Sequence, residues 1–125
     1  MIALLAAAVL SCTSLEAVDG DTIRCGTERM RLLGDGIPGK SGIDTPEIGE
    51  RAKCARERLL GEQAKIRLGE LLQMDVVIED SGKRDRYKRP LVRVRLPDGD
   101  LAESVLLREG YAGRWRAGHK IDWCR

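Results

Sequence analysis

Leu15-Glu16-Ala17-Val18-Asp19-Gly20-Asp21-Thr22-Ile23-Arg24-Cys25 is the stretch from which the architecture can be read. Two short segments, 15–18 and 22–25, flank Asp-Gly-Asp, and an Asp-Gly pair between such segments is a strong hairpin signal. Past a polar turn at Gly26-Thr27-Glu28, a third strand is predicted over Met30–Leu33. Residues 34–50 hold five Gly and two Pro and read as a loop. From Ala52 to Leu72, apolar residues recur at three- and four-residue steps (Ala52, Ala55, Leu60, Ala64, Leu68, Leu71, Leu72), which predicts an amphipathic helix. Gly61 and Gly69 weaken that helix by up to about 1 kcal/mol each. Asp75–Glu79 reads as a strand, as does Leu91–Leu96, where Val92, Val94 and Leu96 face one way and Arg93 and Arg95 the other. After a turn at Pro97-Asp98-Gly99, Asp100 can cap a second helix that Gly110 ends. The pattern predicts an α+β fold, mainly β: a five-stranded Greek-key barrel with two or three helices.

The chain has 125 residues and 13.8 kDa, enough for one domain. At 42% hydrophobic and 34% charged it is globular in composition, although a core without Phe must be built from aliphatic side chains. No apolar run reaches the roughly 18 residues of a membrane span. The net charge of +2 is unevenly spread: residues 1–50 carry 4 basic and 8 acidic side chains, residues 51–125 carry 18 and 12. An acidic front and a basic rear fit a cation site facing a polyanion site. Residues 1–11 read either as a targeting segment or as a lead-in to the first strand, with one domain over 12–125. Cys12, Cys25, Cys54 and Cys124 lack C-x-x-C spacing and share a single His, which argues against zinc and for two disulfides in an oxidising compartment. Three connectivities are open; position along the chain favours Cys12–Cys25 with Cys54–Cys124. A secreted or periplasmic location and a monomeric state are the expectations.

Three clusters have chemical potential. Asp19-Gly20-Asp21-Thr22 crowds carboxylates on a tight turn, although an Asp-Gly turn is most often only a turn. Ile43-Asp44-Thr45-Pro46-Glu47 sets two acids on a loop stiffened by Pro46. Two Asp carboxylates, a main-chain carbonyl and water would suit a hard cation such as Ca²⁺. The plain structural account, an acid near a helix start, covers Glu47 but leaves Asp44 unexplained. Lys83–Arg95 holds seven basic residues in thirteen against one acid, more than solubility needs. Tyr87 among those cations offers a stacking surface, and Arg can fork two hydrogen bonds onto a phosphate. His119 reads as surface decoration, and Trp115 and Trp123 as packing residues.

The order of these motifs is more specific than any of them alone. D-G-D-T at a strand turn, Arg31 on a strand, I-D-T-P-E, a helix, D-R-Y-x-R, a strand and L-L-R-E-G-Y-A together resemble the staphylococcal nuclease (thermonuclease) family over about residues 13–113. The resemblance implies an OB-fold barrel and a Ca²⁺-dependent phosphodiesterase acting on DNA and RNA. It implies that Asp21, Asp44 and the main-chain carbonyl of Thr45 hold the ion, with Asp19 behind them. Arg31 and Arg89 would contact the scissile phosphate, Glu47 would accept a proton from the attacking water, and Arg86 and Tyr87 would hold a neighbouring phosphate. The alternative is a non-catalytic OB-fold module that binds nucleic acid, but pure binding gives no reason to keep Asp21, Asp44, Glu47, Arg31 and Arg89 together.

The chain departs from the family pattern in three places. Eight extra residues, Asp35–Gly42, separate Gly34 from Ile43 and must double back if Arg31 is to approach Asp44. Such a surface excursion would tolerate deletion. Position 88 is Lys where the family usually has Gly, and the stretch after Ala112 lacks the family's tyrosines near the base-binding pocket.

Overall fold

The computed structural model describes residues 8–125; the first seven positions of the 1–11 segment lie outside the described residues. Eight strands, β1 (Ala8–Leu10), β2 (Leu15–Ala17), β3 (Thr22–Cys25), β4 (Glu28–Leu32), β5 (Ser41–Asp44), β6 (Val77–Arg84), β7 (Pro90–Arg95) and β8 (Gly113–Arg116), combine with helices α1 (Ala55–Leu72) and α2 (Ala102–Arg108). A 3₁₀ turn at Gly49–Arg51 precedes α1. Six strands form one sheet in the order β1-β6-β7-β4-β3-β2, and β5 pairs with β8 apart from it. No helix among the described residues is long and apolar enough to cross a membrane.

Chain connectivity dictates the curvature of the large sheet. Its two edge strands, β1 and β2, are separated in sequence by residues 11–14 alone. A flat sheet of six strands at about 4.8 Å spacing would hold its edges about 24 Å apart. The five steps from Leu10 to Leu15 reach only about 17 Å. The sheet therefore curls into a half-barrel. The expected count of five strands is corrected by three that were not expected among the described residues: β1, which adds a sixth strand to this sheet beside β6, and the short β5 and β8. Cys12, between β1 and β2, is bonded to Cys25 at the end of β3. Alternation then fills the curl. Ile23, Met30, Leu32, Val92 and Val94 point inward and are buried, and Leu68, Leu71 and Leu106 from the two helices close over them.

Two further expectations need correction. Residues 34–50 are not all loop, since Ser41–Asp44 forms β5 against Gly113–Arg116. Four-residue strands rich in Gly carry too little alternation to stand out in sequence. The extra residues do double back: a Cβ placed on Gly36 would lie 2.5 Å from the Ser41 carbonyl oxygen. Yet Ser41 and Gly42 belong to β5, so deleting 35–42 removes half a strand as well as a surface excursion. In addition, Asp100 does not cap α2, whose N-cap is Leu101; Asp100 instead accepts the Leu101 N–H and grips Arg108.

Glu103 is fully buried in the first turn of α2 and accepts hydrogen bonds from the backbone N–H groups of Gly34 (2.9 Å) and Val94 (3.1 Å). One carboxyl thus joins α2, β7 and the residue where the extra loop begins. Glu103→Ala would leave two buried donors without partners at about 1–3 kcal/mol each. A loss of about 3 kcal/mol is expected in urea unfolding. Burial pushes the Glu103 carboxyl up from 4.5 to about 7. Its native state therefore holds a proton that the unfolded chain has released, and its contribution, full below about pH 4.5, fades as pH rises through 7. Urea midpoints at pH 5 and pH 8 should differ less in Glu103→Gln than in the parent chain.

Candidate functional site

The acidic half of the site is assembled by β3, β4 and the end of β5. Asp21 is buried beside the β3 start and accepts hydrogen bonds from the Thr22 hydroxyl through Oδ1 (3.2 Å) and from the Thr45 N–H through Oδ2 (3.2 Å). Arg31, from β4, brings Nη2 to 3.5 Å from Asp21 and 3.8 Å from Asp44, and donates to the Ile43 carbonyl at 3.2 Å. The eight extra residues therefore leave the approach of Arg31 to Asp44 intact. Asp19 accepts the Asp21 N–H, which ties the two ends of the turn.

Glu47 is positioned by a residue that sequence reading missed. Glu57, buried in the first turn of α1, accepts the N–H of Glu47 and the N–H of Lys53, each at 3.0 Å. A Glu three residues after the N-cap, here Cys54, is the available signal. Close packing completes the arrangement: a Cβ on Gly61 would lie 2.5 Å from the Glu47 carbonyl oxygen, and one on Gly20 would lie 2.7 Å from both Ala64 Cβ and Thr45 Oγ1.

These carboxyls repel one another. Burial and then the charge of Asp21 raise Asp19 from 3.8 to about 7. The same two causes raise Asp44 to about 6, with Arg31 opposing them. Glu47 is also raised, by burial first and Asp21 second, against Arg51 and Arg31. Arg31 thus leaves negative charge uncompensated. The donors are all oxygens, as a hard divalent cation requires, and the buried Thr45 Oγ1 has no hydrogen-bond partner. Asp21, Asp44 and the Thr45 carbonyl are the groups that would hold such an ion. No ready-made cage of three or more acidic, His or Cys side chains exists among the described residues, so an ion held here would need water or other oxygens to complete its shell.

Two clefts meet here. Asp44, Thr45 and Glu47 line the smaller, of about 330 Å³, together with Lys53, Glu57 and the tail residues Lys120–Trp123. The larger, of about 700 Å³, runs from Arg31 past Trp115 to Arg86, Tyr87 and Arg89. Trp115, expected as a packing residue, and His119, expected as surface decoration, both lie on its wall. Arg89 is fixed by Asp85, which accepts from its backbone N–H and from its Nε at 2.7 Å. Arg86 and Arg89 sit 4.9 and 5.5 Å from the centre of the Tyr87 ring, which is 65% exposed and open to a stacking partner.

The basic run is less free than its composition indicates. Arg93 is spent on the carbonyls of Gly34 and Gly36, Arg95 on Glu79 and the Gly99 carbonyl, and Arg84 on the Lys88 carbonyl. Lys88 has φ of 67°, the left-handed conformation that favours glycine, so the loop keeps a glycine-like turn despite its lysine.

A curled sheet that carries paired carboxylates and a guanidinium at one end of a cationic, aromatic cleft is an arrangement suited to nucleic-acid chemistry. Residues 40–121 match the family described as staphylococcal nuclease homologue, and the chain belongs to that family. The match takes in Asp44, Glu47, Arg86, Tyr87 and Arg89, while Asp21 and Arg31 precede it and join them through the fold. No curated protein sequence matches the chain at a significant level.

The packing at α1 separates two glycines of one helix. Gly69 has open space around it, so Gly69→Ala should stabilise by about 0.5–1 kcal/mol. Gly61→Ala must displace the Pro46–Glu47 backbone and should destabilise the protein in the same unfolding assay. Lys88→Gly relieves a left-handed lysine and should raise stability by up to about 1 kcal/mol in that assay.

Proposed function

We propose that the protein is a Ca²⁺-dependent phosphodiesterase that hydrolyses DNA and RNA without regard to the sugar. The supporting observation is the meeting of Arg31 with Asp21 and Asp44 at the end of a cleft that Arg86, Tyr87 and Arg89 extend. Cleavage of a phosphodiester gathers negative charge on the phosphoryl oxygens, and fixed cations in place before the reaction stabilise that charge most effectively. The divalent cation would supply Lewis-acid polarisation of a phosphoryl oxygen. Arg31 and Arg89 contribute guanidiniums at two places along the cleft. The Asp85 contact to Arg89 uses Nε, leaving both terminal nitrogens without a protein partner among the described residues. Glu47 acts as the proton acceptor for the attacking water. Its raised pKa brings it closer to neutral pH, where a general base is most effective. Arg86 and Tyr87 hold an adjacent phosphate and base. Two disulfides, Cys12–Cys25 and Cys54–Cys124, suit work in an oxidising compartment, and we place the protein in the periplasm or outside the cell.

A second reading, binding of nucleic acid without cleavage, is favoured by one observation: Arg31 already bridges Asp21 and Asp44 and partly does the neutralising work of a metal ion. The two readings separate on a gel of plasmid DNA and of RNA, each with Ca²⁺ or with chelator. Cleavage is expected only with Ca²⁺, falling about 10²–10³-fold in Asp21→Ala and Asp44→Ala. Binding without cleavage under every condition would leave the second reading standing. Ca²⁺ at about 100 times its dissociation constant should stabilise the parent chain by about 2.7 kcal/mol, and neither Asp variant. Glu47→Gln should lower turnover by about 10²–10⁴ with little change in KM, whereas a matching rise in KM would make Glu47 a binding residue.

A further inference from the structure

The chain after β8 has no regular secondary structure, yet it is fixed at both ends. The Ala117 N–H donates to the Lys40 carbonyl at 3.1 Å, and Cys124 is bonded to Cys54, the N-cap of α1. Between these anchors, Ile121 and Trp123 pack over Gly113: a Cβ there would lie 2.6 Å from Ile121 Cδ1 and 3.5 Å from the Trp123 ring. Held in this way, Lys120 is the one residue among those described that lines both clefts. It is exposed and has no ion-pair partner among the described residues.

We propose that residues 117–124 form a strap across the seam of the two clefts and that Lys120 contacts a backbone phosphate of the bound strand. The Cys54–Cys124 bond holds the strap in place. A free ammonium at the junction of an acidic and a basic cleft sets the register of a polyanion that must pass from one to the other. It does so as a point charge, indifferent to base and sugar. The idea rests on the nucleic-acid-binding part of the proposed function and not on cleavage. The strap also couples the register to the redox state, because reduction frees its far end.

The test is fluorescence anisotropy with a labelled single-stranded DNA oligonucleotide of mixed sequence, in chelator so that no cleavage occurs, across a range of salt. Lys120→Ala should weaken binding about threefold to tenfold and reduce the salt slope by about 0.7, the share of one phosphate on a single strand. Lys120→Arg should restore both. In Ca²⁺ the same Lys120→Ala change should raise KM and leave kcat unaltered. In a Cys54→Ser/Cys124→Ser protein that retains its circular dichroism spectrum, binding should fall to the Lys120→Ala level, and adding Lys120→Ala should cost nothing more. If Lys120→Ala binds with unchanged affinity and slope while Arg86→Ala weakens binding, the strap proposal is overturned and the nucleic-acid reading stands. If the parent chain binds no oligonucleotide, both fall.

Discussion

The site depends on how closely helix α1 can approach two turns. Gly61 and Ala64 lie one helical turn apart on the same face, and they meet the carbonyls of Pro46 and Glu47 and the backbone at Gly20. Larger side chains there would push the helix away and separate Asp21 from Glu47. At this distance the first turn of α1 can also supply Glu57 to the Glu47 N–H. The helix thus fixes the spacing of the acids without contributing any group to the clefts except from its N-terminal end. That accounts for an amphipathic helix whose inward face carries Gly and Ala near its start and Leu68, Leu71 and Leu72 near its end. The Leu end closes the core and the small end sets the site.

Charge is divided in the same economical way between structure and chemistry. Arg93 and Arg95, although part of the densest basic run, serve as struts to carbonyls and to Glu79. Glu103 and Glu57, both buried, bind backbone N–H groups, and of the two only Glu57 also lines a cleft. The charges that line the clefts include Asp44 and Glu47 on the acidic side and Arg86 and Arg89 on the basic side, with Arg31 and Lys120 where the two meet. Burial first and the charge of Asp21 second press the pKa of Asp19, Asp44 and Glu47 upward, and Arg31, with Arg51 at Glu47, only partly opposes them. On the proposed function, a site built this way would bind a mobile cation and a polyanion more readily together than either alone, since each would relieve the field the other feels.

Much of this was legible in the sequence, and the failures share a cause. Strands with clean alternation, such as the one bearing Val92 and Val94, and the long helix were found within a few residues. The strands β5 and β8 were not, because four residues containing Gly carry almost no periodic signal and form only when distant segments meet. The motif acids and arginines were legible because their order is specific. Their supports were not: Glu57 and Glu103 look like ordinary helix-surface acids until the fold buries them. Arg93 shows the converse error, since composition counts a cation without knowing whether a carbonyl already holds it.

Two of the three departures from the family pattern, the extra loop and the C-terminal stretch, meet at one place. The extra loop turns back through Lys40, whose carbonyl accepts the Ala117 N–H, and the tail continues from there past His119 and Lys120 to the Cys54 bond. Loop and tail therefore brace each other along the wall of the larger cleft, where Gly39 and Gly118 both lie. β5, entered from that loop, and β8, which leads into the tail, form the two-stranded pair that carries the brace. An insertion that cost only chain entropy would gain nothing by such pairing. Bonded to β8 and to the tail, the added residues hold the near end of the C-terminal segment while the Cys54–Cys124 bond holds its far end, and between the two anchors the tail lines the cleft beside Asp44.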